Sequence, residues 1–203
     1  MGHFRGGLAM ATILACSGFA AICGSSLATG ATMGMVAIPE MERHKYDHRL
    51  STGCIAAGGT LGILIPPSIG FVLYGILTEQ SIGMLFMAGL LPGFMLASLF
   101  VITITIITTI RPKAGPAGPR STFGEKILSL KGTWHTLLLF LLVLGGIYGG
   151  IFTPTEAGAI GAFGAVVITA LSRRLSIKGL LESLLEAGQT TAMVFLLIIG
   201  AYI

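Results

Sequence analysis

Oxygen-bearing residues set among glycines and prolines are the groups in this sequence best suited to chemistry, and they fall in two short runs. The first is Gly24-Ser25-Ser26. The second runs Gly58-Gly59-Thr60-Leu61-Gly62-Ile63-Leu64-Ile65-Pro66-Pro67-Ser68. Hydroxyls and carbonyls are the ligands of a hard cation, and backbone carbonyls become available where a helix is broken. Amides at a helix N-terminus favour an anionic group such as a carboxylate. Pro66 and Pro67 each lack an amide donor, and proline disfavours helical geometry at the preceding residue, Ile65. The candidate ligands are therefore Ser25, Ser26, Thr60 and Ser68, with the carbonyls around Gly58, Gly59, Ile63 and Ile65. Small residues also let helices pack closely. Packing is the reading taken for Gly62 and Ala56, and ligation for Ser25, Ser26 and the residues flanking Pro66.

Other candidates reduce to structure. Glu156 is an acid at the edge of an apolar segment, where an ionisable group points to function by default. Yet Thr153-Pro154-Thr155-Glu156 has the form of a capping box, with Thr153 as N-cap and proline at the first helical position. Gly145, Gly146, Gly149 and Gly150 make overlapping G-x-x-x-G patterns, which are close-packing surfaces. Gly158, Gly161 and Gly164 lack the spacing of a dinucleotide loop. His135 beside Trp134 suits an interfacial anchor. Cys16, Cys23 and Cys54 are odd in number, lack metal-ligand spacing and sit in apolar surroundings. No hydrolase elbow, phosphate loop or zinc signature is present, and Ser17 has no embedded histidine to serve as its base. An enzyme is not indicated.

Composition sets the elements that must position these residues. Of 203 residues, 54% are hydrophobic and 10% charged, against roughly a quarter charged in soluble proteins. Mean hydropathy is +0.92, so the chain reads as an all-α polytopic membrane protein in a lipid bilayer. The net charge of +4 lies in short connectors and not in one stripe, which argues against nucleic acid. The stretch Met1 to Cys16 has the outline of a lipoprotein signal, but such a signal hands over to a soluble domain, and this chain stays apolar.

Lys and Arg cluster at Arg5, at Arg43 to Arg49, from Arg111 to Lys131, and at Arg173 to Lys178. The turns near Glu79 and Pro154 carry none. The positive-inside rule places the first set in the cytoplasm and the second outside. Residues 8–38 then form an apolar stretch with both ends on the cytoplasmic side, roughly 45 Å as helix, too short to cross a ~30 Å core twice. A re-entrant helical hairpin turning at Gly24-Ser25-Ser26 satisfies both constraints. Residues 51–77 must cross once, as a helix broken at Pro66-Pro67. Residues 81–110 form a transmembrane helix kinked by Pro92. Residues 111–132 read as a flexible cytoplasmic linker between two repeats. Residues 133–203 open a second repeat with two transmembrane helices, an amphipathic helix over 176–187 and a further apolar segment that stops at Ile203. Stopping in mid-segment, the chain reads as a fragment. A hairpin followed by a broken helix is the arrangement of an ion-coupled transport site, in the first part of an inverted-repeat fold.

These residues resemble the large membrane subunit of the tripartite ATP-independent periplasmic (TRAP) transporters, dicarboxylate type. The resemblance is carried by Phe19 through Ser26, Gly58 through Ser68, Ser81 through Gly89 with Pro92-Gly93, and Gly146 through Ala157. It covers nearly the whole chain, although Cys23 stands where such proteins often have serine. It implies a secondary transporter of the bacterial inner membrane that uses sodium as coupling ion and no other cofactor. A periplasmic binding protein would deliver an organic anion, a C4-dicarboxylate or similar carboxylate, and a small transmembrane subunit would support the large one. Hairpin and broken helix would move together, elevator-like, against a scaffold. By the same resemblance, Ser25, Ser26, Gly58, Ile63 and Pro66 would hold one sodium ion beside the substrate. A second hairpin and a second broken helix would complete the site, so residues 1–203 alone are expected not to transport. The competing readings are a related ion or proton antiporter, which needs an embedded Asp or Glu, and a non-transporting membrane fragment.

Overall fold

The computed structural model describes residues 4–118, 134–173 and 175–202. Among them are eight helices and no strand: α1 Gly7–Cys23, α2 Ser26–Arg43, α3 His48–Leu64, α4 Ile69–Leu77, α5 Ile82–Ile110, α6 Trp134–Tyr148, α7 Pro154–Leu171 and α8 Ile177–Tyr202. Among the described residues four spans are long and apolar enough to cross a membrane: His48–Leu77, Ile82–Ile110, Pro154–Leu171 and Ile177–Ala201. The chain is a multi-pass membrane protein.

The elements follow local chemistry. α1 and α2 form the helical hairpin expected over 8–38, with Gly24 and Ser25 as its turn. Gly24 closes α1 in the left-handed region at φ 62°, where its amide donates to the Ala20 carbonyl, a conformation glycine adopts without the usual Cβ penalty. Ser25 then opens α2 as N-cap, its hydroxyl accepting the Ala28 amide. Each arm is about 26 Å long, below the ~30 Å of hydrocarbon. α2 runs through Pro39 to Arg43, five residues beyond the expected end.

The helix expected over 51–77 is broken where the prolines require it. α3 ends at Leu64, Ile65 is extended at φ −86° and ψ 121°, and α4 begins at Ile69. The expected transmembrane helix over 81–110 is α5, unbroken through Pro92.

By contact the chain divides into two units, Met1–Val72 with Met84–Lys131, and Leu73–Gly83 with Gly132–Ile203. The first holds a core of Ala9, Met10, Ile13, Ala20, Met41, Tyr46, Cys54, Leu61, Ala97 and Ile104. Cys16, the residue of the lipoprotein-like outline, is buried inside α1. Residues 111–115, at the start of the proline- and glycine-rich connector, are tied down. The Gly115 carbonyl accepts the Gly6 amide at 2.8 Å, and the Ala114 carbonyl accepts the Asp47 amide at 3.0 Å. The greater part of the connector, 119–132, lies outside the described residues.

In the second unit α6 and α7 pack together, with Val143 against Gly161 and Leu139 against Gly164. The capping box at α7 is formed as its sequence predicts. The Thr153 hydroxyl accepts the Glu156 amide at 3.3 Å, and Glu156 Oε2 accepts the Thr153 amide at 2.8 Å. Sequence periodicity set a boundary at Ala187-Gly188, but α8 runs through it without a break. A helix-interior glycine costs only ~1 kcal/mol relative to alanine, and no proline stops the helix there.

Candidate functional site

The hairpin tip is seated on the helix break. A Cβ at Gly62 would stand 2.6 Å from the Ser25 carbonyl oxygen and 2.8 Å from the Ser26 nitrogen. A Cβ at Gly24 would stand 2.8 Å from the Pro67 carbonyl oxygen. One hydrogen bond joins the two runs directly, the Ile69 amide donating to the Gly24 carbonyl at 3.3 Å. One turn earlier on α3, a Cβ at Gly59 would stand 3.3 Å from the Ser26 carbonyl oxygen and 3.3 Å from the Gly30 Cα. α2 and α3 therefore meet backbone to backbone, which requires these small residues.

The break itself rests on α5. The Phe71 ring lies on Gly89, and a Cβ at Gly93 would stand 2.9 Å from Cγ1 of Ile65. Pro66 is fully buried and Ser68 nearly so. The Pro66–Pro67 peptide bond is cis.

The carbonyls released by the break are not all those expected. In an α-helix the carbonyl of residue i accepts the amide of residue i+4. Pro66 and Pro67 have no amide, so the carbonyls of Gly62 and Ile63 are orphaned. Ile65 loses its i+4 donor as well, because the Ile69 amide turns to the Gly24 carbonyl. The Ser68 hydroxyl donates to the Ile63 carbonyl at 2.6 Å, restoring part of what Pro67 removes. Gly58 and Gly59 lie inside α3, which continues unbroken to Leu64, so the break does not free their carbonyls. Gly58 instead makes room for Cys16 of α1, whose Sγ would lie 2.6 Å from a Cβ there. Thr60 is exposed and its hydroxyl donates to the Ala57 carbonyl of its own helix at 2.6 Å. The structure thus brings together Ser25, Ser26, Gly59, Gly62, Pro67 and Ser68, with Ile63, Ile65 and Pro66 forming the break. It does not bring Thr60 or Gly58 to the tip.

Two hydroxyls near the start of α2 are buried. The Ser26 hydroxyl is buried without a hydrogen-bond partner, and so is that of Thr29, a residue with no exposed surface. Thr29 lies one turn after Ser26, so both face the same side of α2. A buried hydroxyl without a partner costs ~1–3 kcal/mol, and water or an ion is the usual remedy. Thr29 was not among the sequence candidates. Its i+3 spacing from Ser26 was the available signal. Beside the hairpin tip, an open cavity of about 280 Å³ is lined by Ile22, Cys23, Gly24, Pro67, Ser68, Ile69 and Val72. Among the described residues no cluster of His, Cys, Asp or Glu fit for a metal ion occurs, so any cation held here would rest on neutral oxygens.

Residues 1–203 match the family described as "Tripartite ATP-independent periplasmic transporter, DctM component". The C4-dicarboxylate TRAP transporter large permease protein DctM of Pseudomonas aeruginosa is 44% identical over 202 residues, covering 99% of this chain and 47% of its own length. The isethionate TRAP transporter permease protein DctMQ of Oleidesulfovibrio alaskensis is 40% identical over 200 residues, 97% of this chain and 31% of that protein. The ectoine TRAP transporter large permease protein TeaC of Halomonas elongata is 37% identical over 199 residues, 98% of this chain and 46% of that protein. All three are named as transporter permeases and none as an enzyme. The chain spans about half or less of the length of these curated relatives. The resemblance seen in the glycine, serine and proline runs is upheld along the full sequence, and the chain belongs to the DctM component family of the tripartite ATP-independent periplasmic transporters.

Proposed function

We propose that this chain forms part of the large membrane subunit of a sodium-coupled secondary transporter that imports an organic anion across the bacterial inner membrane. A periplasmic binding protein delivers the anion, and a small transmembrane subunit supports the large one. The hairpin α1–α2 is re-entrant, and hairpin and broken helix belong to the first part of an inverted repeat. The relatives' names span a C4-dicarboxylate, ectoine and isethionate. Of these, a C4-dicarboxylate or similar carboxylate is the substrate class we assign, since the DctM protein is the most similar of the three.

The observation that carries this reading is the docking of the hairpin tip on the Pro66-Pro67 break, with the Ser26 and Thr29 hydroxyls buried and unpartnered beside it. Hydroxyls and orphaned carbonyls supply neutral oxygens for a sodium ion. The N-terminus of α2 supplies the positive end of a helix dipole for a carboxylate. Hairpin, α3 and the start of α4 share backbone contacts, so they would travel as one body in an elevator-like cycle. A proton antiporter would need an embedded carboxylate. Glu156, the acid at the edge of a span, is exposed and engaged in the capping box of α7.

The test is uptake by the intact transporter, reconstituted with its partner proteins, as a function of sodium concentration. Ser26→Ala is expected to raise the sodium concentration for half-maximal uptake several-fold. An unchanged sodium dependence would remove the hairpin tip from the site.

A further inference from the structure

A second cavity, of about 340 Å³, opens in the first unit on the side of α3 away from the hairpin tip, between α3 and α5. Its floor is Ile13 of α1, and its walls include Ala57 of α3 and Phe100 of α5. Its mouth carries Arg49, Arg111 and Asp47. The two arginines line the same end because Arg49 lies in the first turn of α3 and Arg111 follows the last residue of α5. Both are exposed, and among the described residues neither guanidinium is in an ion pair. The Asp47 carboxylate is already engaged, accepting the Arg49 amide at 2.8 Å as N-cap of α3. Two positive charges and a helix N-terminus therefore face one committed carboxylate.

We infer that this groove binds an anionic phospholipid, its phosphate held by Arg49 and Arg111 and one acyl chain lying along the apolar walls. The occupant must be both anionic and apolar, because the groove is charged only at its mouth. Below the mouth the walls are largely apolar, and in a bilayer hydrocarbon is the available filling. Depth matches as well. From Arg111 to Phe100 along α5 is about 16 Å, close to half of the ~30 Å hydrocarbon core, which is the reach of one leaflet. Basic pockets between helices on the cytoplasmic side suit anionic head groups, and Arg49 and Arg111 belong to the clusters that the positive-inside rule assigns there. Inorganic phosphate shares the head-group chemistry but leaves the apolar walls unfilled.

The test uses tryptophan quenching by brominated lipids. Residues 1–203 contain one tryptophan, so Trp134→Phe clears the background from these residues and Phe100→Trp places an indole on the groove wall. Should Phe100→Trp unfold the protein, Thr103→Trp, an exposed position lining the same groove, takes its place. The protein is reconstituted in phosphatidylcholine vesicles containing a small fraction of brominated phosphatidylglycerol or, separately, brominated phosphatidylcholine. Brominated phosphatidylglycerol is expected to quench several-fold more at equal mole fraction. Arg49→Gln with Arg111→Gln should abolish that excess, Arg173→Gln should keep it, and millimolar inorganic phosphate should not displace it. Equal quenching by the two lipids, or an excess that survives loss of both arginines, overturns the proposal. Absence of quenching by either lipid would mean that protein fills the groove, and displacement by phosphate would mean that a free anion is the ligand. Either result overturns it too.

Discussion

Gly62 and Ser25 stand so close that a single methyl group on Gly62 would fall 2.6 Å from the Ser25 carbonyl oxygen. Neither atom in that contact can rotate away, since the acceptor is backbone and the added carbon is fixed to backbone. Gly62→Ala is therefore expected to destabilise the protein by ~1–3 kcal/mol, the usual range for overpacking. Gly18→Ala, a helix-interior position with open space around it, is expected to gain up to ~1 kcal/mol from helix propensity. Thermal unfolding in detergent should show the two substitutions moving Tm in opposite directions.

Thr29→Val separates a structural hydroxyl from a ligand. Without sodium, an isosteric apolar side chain removes an unsatisfied group, so Tm should stay level or rise. With sodium, a bound ion raises the stability of the parent protein by mass action, and the variant should lose most of that rise. A sodium-induced shift of full size in Thr29→Val would leave Ser26 without this neighbour in the site.

Tyr46 ties the connector before α3 to the start of α1, its hydroxyl accepting the Leu8 amide at 3.1 Å. Tyr46→Phe should cost about 1 kcal/mol through loss of that bond. Burial pushes the Tyr46 phenol above its ordinary value of 10.0; the Leu8 amide pulls the other way, and nearby Cys54 adds to the rise. A raised phenol contributes stability that is fully present below the unfolded pKa and is lost as pH climbs through the folded one. The parent protein should therefore lose stability in the alkaline range above pH 10, and Tyr46→Phe should flatten that part of the profile.

Thr153→Ala should destabilise the second unit by ~1 kcal/mol, the usual cost of a lost N-cap. Glu156→Gln retains an acceptor at the same position and should have a smaller effect. If Glu156 serves only as a cap, uptake by the intact transporter keeps its pH dependence in Glu156→Gln. A shifted pH profile there would revive a proton-coupled reading.

Features written in one residue's own chemistry were legible in the sequence. The turn at Gly24-Ser25, the extended Ile65 before Pro66 and the capping box at Thr153 each follow from a local rule. The freed carbonyls were read only in part: Ile63 and Ile65 were named, but Gly58 and Gly59 lie inside α3, and Gly62, four residues before Pro66, was taken for packing alone. Contacts between distant segments were not legible. Spacing from Ser26 places Thr29 on the same side of α2 but does not say that its hydroxyl is buried without a partner, and nothing near Gly24 announces the Pro67 carbonyl. Periodicity misled at Gly188, where a change from amphipathic to apolar composition suggested two elements although helix propensity favours one.

The bond between the Gly6 amide and the Gly115 carbonyl has a mechanical consequence. It joins the residue before α1 to the segment just after α5, so the stretch from Gly6 to Gly115 is closed on itself as a loop. A pull on the backbone at Gly6 and a pull at Gly115 act at the same point. Any displacement of this loop carries Gly6 and Gly115 together, so neither end can serve as a pivot for the other. Cutting that bond, with Asp47 to Ala114 as its neighbour, would turn one handle into two loose strings.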